Sequence, residues 1–144
     1  MVTLQPAQLA PIQRVCHRDR LAAADDQCVG AGVLYLFRDE ALGGTNFFGA
    51  REPPDAINAR MRHWSTIDNA QFTQETGWPA AYMTRSNQHF ERTAVAPPRF
   101  NRLIFYDGSR FHGSHIEQPA RLCDEPARGR LTLNLFFVCR RHAR

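Results

Sequence analysis

The run Arg130-Leu131-Thr132-Leu133-Asn134-Leu135-Phe136-Phe137, near the end of the chain, decides the fold. A β-strand sends alternate side chains to opposite faces, so the leucines and the last phenylalanine form one apolar packing face. The opposite face carries the polar residues Arg130, Thr132 and Asn134. Such a strand is either exposed at the surface or forms one wall of a polar pocket, and its pattern alone leaves both interpretations open.

Working outward from this run, the chain consists of short β-forming segments broken by turn residues, with one stretch of helical period. In residues 55–78, Ile57, Met61 and Trp64 recur at helical spacing behind Asp55, which we expect to cap the helix. Eight or so strands around one helical insertion predict a mostly β roll or sandwich rather than a doubly wound α/β sheet. The predicted strands cover residues 12–17, 31–37, 45–48, 89–95, 102–106, 110–116 and 130–138.

The composition is that of one globular domain, which we place over residues 1–144. The formal net charge is +4 and no lysine occurs, which excludes mechanisms built on a Schiff-base lysine or a phosphate-binding lysine. The arginines are scattered except in the tail, at Arg140, Arg141 and Arg144. We therefore favour a solvated basic surface over a nucleic-acid interface.

The first thirty residues contain no continuous apolar run, so neither a signal peptide nor a membrane helix is expected and we predict a cytoplasmic protein. The four cysteines show no C-x-x-C spacing, which favours free thiols over zinc ligands or disulfides. Cys16 stands beside His17. It is either an oxidation-sensitive neighbour of a metal or a small buried residue, and we favour the second.

A metal site is suggested by His17-Arg18-Asp19, because residues i and i+2 of an extended segment point the same way and can meet one ion. Two imidazoles and one carboxylate form the ligand set of non-haem Fe(II) oxygenases, so a second histidine is required. The candidates are His112 and His115, which follow a later apolar run. A lone His-x-Asp is common by chance, so the argument depends on the order of several motifs.

Five motifs follow one another in the chain: His17-x-Asp19, Tyr35-Leu36-Phe37, Gly43-Gly44-Thr45-x-Phe47, an apolar strand that ends in His112, and Arg130-x-Thr132. This order resembles the double-stranded β-helix, or jelly roll, of the 2-oxoglutarate/Fe(II)-dependent oxygenases. It is similar in particular to the prolyl-hydroxylase-like branch and, within that branch, to a bacterial family of uncharacterised activity. The resemblance covers about residues 11 to 138.

The resemblance implies that His17, Asp19 and His112 hold Fe(II), with His112 preferred to His115 because of its position in the motif. It implies that Arg130 binds the distal carboxylate of 2-oxoglutarate with the help of Thr132. A guanidinium fork and a hydroxyl on the same strand face suit that carboxylate.

The resemblance also implies O₂ as co-substrate and hydroxylation of a small molecule or of an amino-acid or peptide side chain. Three further residues belong to this expectation, each with a structural alternative. Tyr35 either donates a third hydrogen bond to 2-oxoglutarate or is a core tyrosine. Asn134 either contacts substrate or satisfies a neighbouring strand, and Trp64 either contacts substrate or belongs to the buried stripe of the helix.

Only sixteen residues precede His17, whereas the resembled proteins carry helices and a strand there. The expectation is a truncated product, a mis-called start, or a compact form completed by homodimerisation. Three other functions remain open. One is a non-catalytic β-roll binding module or a degenerate oxygenase fold without iron. The second is a cupin-like metalloprotein without 2-oxoglutarate, and the third is a nucleic-acid demethylase with salt-sensitive binding.

Overall fold

A computed structural model describes residues 1–19 and 27–140 of the chain, so Arg141 and Arg144 of the basic tail lie outside the described residues. The described part is mostly β, as predicted, with six strands and two α-helices. The elements are β1 (Gln27–Tyr35), β2 (Gly44–Ala50), α1 (Pro54–Trp64), α2 (Asn69–Thr76), β3 (Phe90–Ala96), β4 (Leu103–Asp107), β5 (Phe111–His115) and β6 (Thr132–Arg140).

The strands form two three-stranded antiparallel sheets, with strand orders β4-β1-β6 and β3-β2-β5. The register places Tyr35 opposite Thr132 in the first sheet and Phe47 opposite His112 in the second. The chain therefore crosses repeatedly between the sheets, which brings residues from the first and last thirds of the sequence together.

Both helices lie between β2 and β3, where the sequence predicts the helical insertion. Asp55 does not cap α1, contrary to the prediction. Pro53 occupies the cap position and Pro54 begins the helix, because the fixed φ of proline suits the first helical residue. Asp68 caps α2 by accepting hydrogen bonds from two backbone amides, and Gly77 ends that helix in the left-handed conformation. None of the helices described here is long and apolar enough to cross a membrane.

Two apolar clusters stabilise the described part of the chain. The larger joins the helices to sheet β3-β2-β5 and contains Trp64, Phe72, Phe90 and Phe111. The smaller contains Tyr35 of β1 and four residues outside the strands, namely Phe37, Leu42, Ile116 and Leu122. Packing of the helices therefore holds sheet β3-β2-β5 on one face, and this sheet carries His112 of the site described below.

The predicted strand over residues 12–17 is wrong. The segment begins as a 3₁₀ helix over Pro11–Arg14, and only His17 pairs with a strand, through a single bridge to His112. Proline fixes φ near the helical value and donates no backbone hydrogen bond, so Pro11 favours a short helical turn over a strand. The described residues accordingly contain six strands rather than about eight.

The apolar face of β6 is also not packed as predicted. Leu133 and Phe137 are 47% and 44% exposed, and Leu103 and Phe105 of β4 continue this open face across the sheet. Strand alternation indicates which side chains share a face but not which face becomes covered. The polar face of the strand lies inside, towards the other sheet, so Arg130-x-Thr132 belongs to a pocket wall.

The glycine pair before β2 allows a close backbone approach, as its sequence suggests. Gly43 has a φ of 85°, and a Cβ built there would lie 1.8 Å from the carbonyl oxygen of His115. A Cβ at Gly44 would lie 2.0 Å from the carbonyl oxygen of Ala96. Both positions therefore require the absence of a side chain.

Replacing Gly43 with alanine is expected to lower the free energy of unfolding by at least about 2 kcal/mol, because both the backbone conformation and the space exclude a Cβ. Chemical denaturation measures this change. Gly49→Ala is the matched control, since a Cβ there would meet only Thr93 Cγ2, at an ordinary 3.6 Å. Equal stability of the two variants would contradict the assigned role of Gly43.

Candidate metal centre

Backbone hydrogen bonds fix both ends of the His-x-Asp motif. The His17 amide donates to the carbonyl of His112 and the His112 amide donates to the carbonyl of His17, each at 2.8 Å. Two residues later, the Asp19 amide donates to the carbonyl of Gly108 at 2.9 Å. The N-terminal segment is therefore held against the edge of β5, and the side chains at both ends of the motif are placed beside His112.

The three predicted ligands converge. His17 Nε2 lies 3.9 Å from Asp19 Oδ1, and His112 Nε2 lies 3.4 Å from Asp19 Oδ2. One ligand atom from each residue lies within 4.8 Å of the other two. Adjacent ligands of a first-row metal ion are about 3 Å apart, so small side-chain movements would bring these three around one ion.

Of the two candidate histidines, the structure brings His112 to the cluster. Its Nδ1 donates to the carbonyl of Arg110 at 3.0 Å, which leaves the lone pair of Nε2 facing Asp19. A hydrogen bond at the second ring nitrogen is the usual way in which a metal-binding imidazole is oriented. His115 Nε2 instead lies 3.9 Å from Glu117, away from the cluster.

The chemistry of the donor set fits a divalent cation such as Fe(II). Asp19 Oδ2 is buried and has no hydrogen-bond partner among residues 1–19 and 27–140, which is costly for a carboxylate oxygen unless a cation is present. Partial burial, followed by the neighbouring His112, lowers the pKa of His17 and favours the neutral imidazole that binds metals. Metal ligation uses the neutral form of imidazole and the carboxylate form of aspartate, so such a donor set would offer the cation one negative charge.

The cluster opens into a small pocket of about 130 Å³. Arg130, Thr132 and Asn134 all line this pocket. The alternation in the sequence places them on one strand face, and the family resemblance implies their place in the site. The structure therefore brings the predicted 2-oxoglutarate residues and the predicted metal ligands to one place.

Arg130 is a buried cation, 3% exposed. Its Nε donates to the carbonyl of Gly43 at 3.1 Å, and its Nη2 donates to the carbonyl of Gly44 at 2.8 Å. Among the described residues no carboxylate lies within salt-bridge distance of Arg130. Burial lowers the pKa of the guanidinium, which nevertheless stays protonated. Arg130 therefore offers a positive charge to an anion in the pocket.

Two predicted site residues do not line the pocket. Tyr35 is fully buried, and its hydroxyl forms a 2.8 Å hydrogen bond with Thr45 Oγ1, so it reaches the pocket only through Thr45. Trp64 lies in the larger core cluster, with its ring against Phe72 and Trp78. These are the structural alternatives that the sequence left open for both residues.

Sequence reasoning missed several residues that line the pocket, Thr45 and Tyr106 among them. The ring centroid of Tyr106 lies 4.7 Å from that of His112, and burial together with the charge of Asp19 raises the pKa of its hydroxyl. Both residues stand in predicted strands, and the facing of those strands could have identified them. Cys16 is buried and burial raises the pKa of its thiol, which agrees with a small core residue.

Residues 1–137 match a family of unknown function (DUF6445). The chain belongs to this family. No curated protein and no solved structure matches the chain. The function of this DUF6445 member therefore has to be argued from the geometry of its own site.

The cluster is expected to bind Co(II) or Fe(II) with a stoichiometry of one, since its ligand atoms converge around one point. Asp19→Asn keeps the shape of the side chain but removes the charge, so we expect metal affinity to fall at least about tenfold. Anaerobic calorimetric titration measures this. His63→Ala is the control, because His63 is exposed and pairs with Glu75. Unchanged affinity in Asp19→Asn would argue against the site.

Proposed function

We propose that this chain is a non-haem Fe(II)- and 2-oxoglutarate-dependent dioxygenase that hydroxylates a small molecule or an amino-acid or peptide side chain. One observation carries the proposal. Three converging metal ligands share a pocket with a buried arginine that has no acidic partner among the described residues. The pocket thus offers ligands to a cation and a binding partner to a carboxylate.

The donor set supports iron, because two imidazoles and one carboxylate on one side of the ion leave positions open for co-substrates. When bound together, Fe(II), 2-oxoglutarate and O₂ supply the oxidation: one oxygen atom enters a C–H bond of the substrate and the other enters succinate, with release of CO₂. The protein's own contribution is to bind, to orient and to exclude water.

Arg130 is suited to the distal carboxylate of 2-oxoglutarate. A guanidinium has five N–H donors, and the two bonds to the carbonyls of Gly43 and Gly44 leave three of them free. These same two bonds hold the side chain in place, so little ordering is needed when a carboxylate binds. Thr132 lines the same pocket and supplies a hydroxyl on the same strand face.

Aromatic residues surround the proposed metal ligands and favour the binding of charged groups in the pocket. Tyr106 packs beside the ring of His112, and Phe47 packs edge-on against Tyr106 with their ring centroids 5.0 Å apart. Phe136 lines the pocket from β6. Aromatic walls lower the local dielectric, which strengthens the attraction between the pocket charges and a charged co-substrate.

The fold that goes with this proposal is a double-stranded β-helix. Its support is that β1, β4 and β6 form one sheet while β2, β3 and β5 form the other, so the chain changes sheets four times. The metal ligands lie at the edge of β5, and Arg130 immediately precedes β6 in the opposite sheet. This arrangement supports a co-substrate site between the sheets.

Purified protein with Fe(II), ascorbate and 2-oxoglutarate is expected to form succinate slowly even without substrate, and His17→Ala and Asp19→Ala should abolish it. The reason is that each variant removes one of three metal ligands. Succinate is measured by mass spectrometry, with His63→Ala as the control. Wild-type rates in both ligand variants would refute the proposal, and a protein that is only a binding module would form no succinate at all.

Arg130→Met is expected to weaken 2-oxoglutarate binding by about 10- to 100-fold, the value of a charge-assisted hydrogen-bond pair, while Co(II) binding stays within about threefold. Thr132→Val is nearly isosteric and removes only a hydroxyl, so we expect it to weaken 2-oxoglutarate binding less than Arg130→Met does. It keeps the test valid if Arg130→Met fails to fold. Calorimetry on the Co(II)-loaded protein measures both ligands. Arg121→Met is the control, since Arg121 is exposed and pairs with Asp39. Unchanged 2-oxoglutarate binding would favour a metalloprotein that does not use this co-substrate.

A further inference from the structure

A second and larger cavity, of about 430 Å³, lies between the N-terminal segment and the edge of β5. Its walls are mainly aliphatic, with Leu4, Leu9, Ile12, Val15 and Met83 among them. No Asp, Glu or Arg side chain of the described residues lines it. Because most of this lining is apolar and it contains no Asp, Glu or Arg side chain to pair with a buried charge, the cavity favours an uncharged apolar occupant.

This apolar cavity adjoins the pocket at the His17, Asp19 and His112 cluster. Val2, His17, Gly113 and Ser114 line both spaces. The side chain of His17 is 54% exposed although it is one of the three converging ligands. A molecule in the cavity would therefore contact a metal ligand directly, on a different side from the charged residue Arg130, which lines only the smaller pocket.

One polar anchor stands at the boundary between the two spaces. His112 uses its amide and carbonyl for His17, so these groups point away from β2. Ser114 is two residues further along the same strand and in continuous register, and antiparallel geometry directs its amide and carbonyl to the same edge. Among the described residues, no hydrogen bond outside the sheets involves these two groups of Ser114.

We infer that this cavity holds the part of the substrate that is oxidised, and that this part is an uncharged apolar group next to a polar group that pairs with Ser114. The inference rests on the proposed function and adds the substrate class to it. The step converts one C–H bond of the apolar group to C–OH with one oxygen atom of O₂. The second oxygen atom enters succinate, and the first carbon of 2-oxoglutarate leaves as CO₂.

Binding of defined probes tests the substrate class without turnover. We expect N-acetyl-leucine N′-methylamide to bind at least about tenfold more tightly than its nearly isosteric aspartate counterpart, because one buries an apolar side chain and the other a charge. Ligand-observed NMR measures both affinities. A third probe, 3-methyl-1-butanol, separates a peptide-like substrate from a simple apolar molecule. Equal binding of the leucine and aspartate probes would overturn the inference.

A cavity-filling variant localises the probe. Within the described part of the chain, a Cβ at Gly113 would meet only Cys16 Cα, at an ordinary 3.8 Å, and Gly113 lines the cavity, so we expect a larger side chain there to fill part of it. Gly113→Leu is expected to weaken binding of the leucine probe at least about tenfold. Gly49→Leu is the matched control, because Gly49 is a strand glycine with similar free space that lines neither cavity. Equal loss, or no loss, in both variants would overturn the inference.

Paramagnetic relaxation separates this inference from the proposed function. In the Co(II)-loaded protein the methyl protons of the leucine probe should relax faster than in the Zn(II)-loaded protein, because the cavity adjoins His17. If the metal binds and the probe binds without this enhancement, the cavity is not the reaction site and the inference fails alone. If the probe binds but no metal does, the proposed function fails, and the substrate interpretation falls with it.

Discussion

The pair of backbone hydrogen bonds between His17 and His112 is the constraint on which the site depends. In an antiparallel bridge the two opposed residues send their side chains to the same face, and here the two ring centroids lie 4.4 Å apart. A slip of one residue would place Cys16 or Arg18 opposite His112 and turn His17 to the other face. Burial of Cys16 in the larger core cluster opposes such a slip, so the core fixes the geometry of the ligands.

Arg130 shows a second dependence of the site on the fold. A buried guanidinium without an acidic partner is costly, and the carbonyls of Gly43 and Gly44 offset only part of that cost. Those carbonyls are available because the glycines let the backbone pass close to His115 and Ala96, where no side chain would fit. The same glycine pair therefore shapes the start of β2 and orients the cation of the pocket.

The sequence indicated which residues would share a site more closely than it indicated the packing around them. Motif order and the family resemblance pointed to His17, Asp19, His112, Arg130 and Thr132, and all five line one pocket, while their chemical roles belong to the proposal. Period-two alternation within His17-x-Asp19 and Arg130-x-Thr132 depends only on local geometry, so it can be seen in the sequence. Two packing expectations failed. Whether the leucine face of β6 is covered depends on where distant helices settle, and the helices pack on the other sheet. Likewise, the segment before His17 has β-forming residues, but Pro11 begins a 3₁₀ helix there.

The charges in the metal pocket argue against a cluster of ordinary polar residues. The lowered pKa of His17 favours the neutral imidazole over an ion pair with Asp19, whose buried Oδ2 lacks a hydrogen bond within the described part of the chain. Arg130 in the same pocket carries the opposite charge, yet it bonds to backbone carbonyls instead of to Asp19. A protein that needed only stability would pair these charges or replace them with apolar residues. Keeping Asp19 and Arg130 apart is costly unless a cation binds near the first and an anion near the second, the combination that the proposed metal ion and dicarboxylate co-substrate would supply.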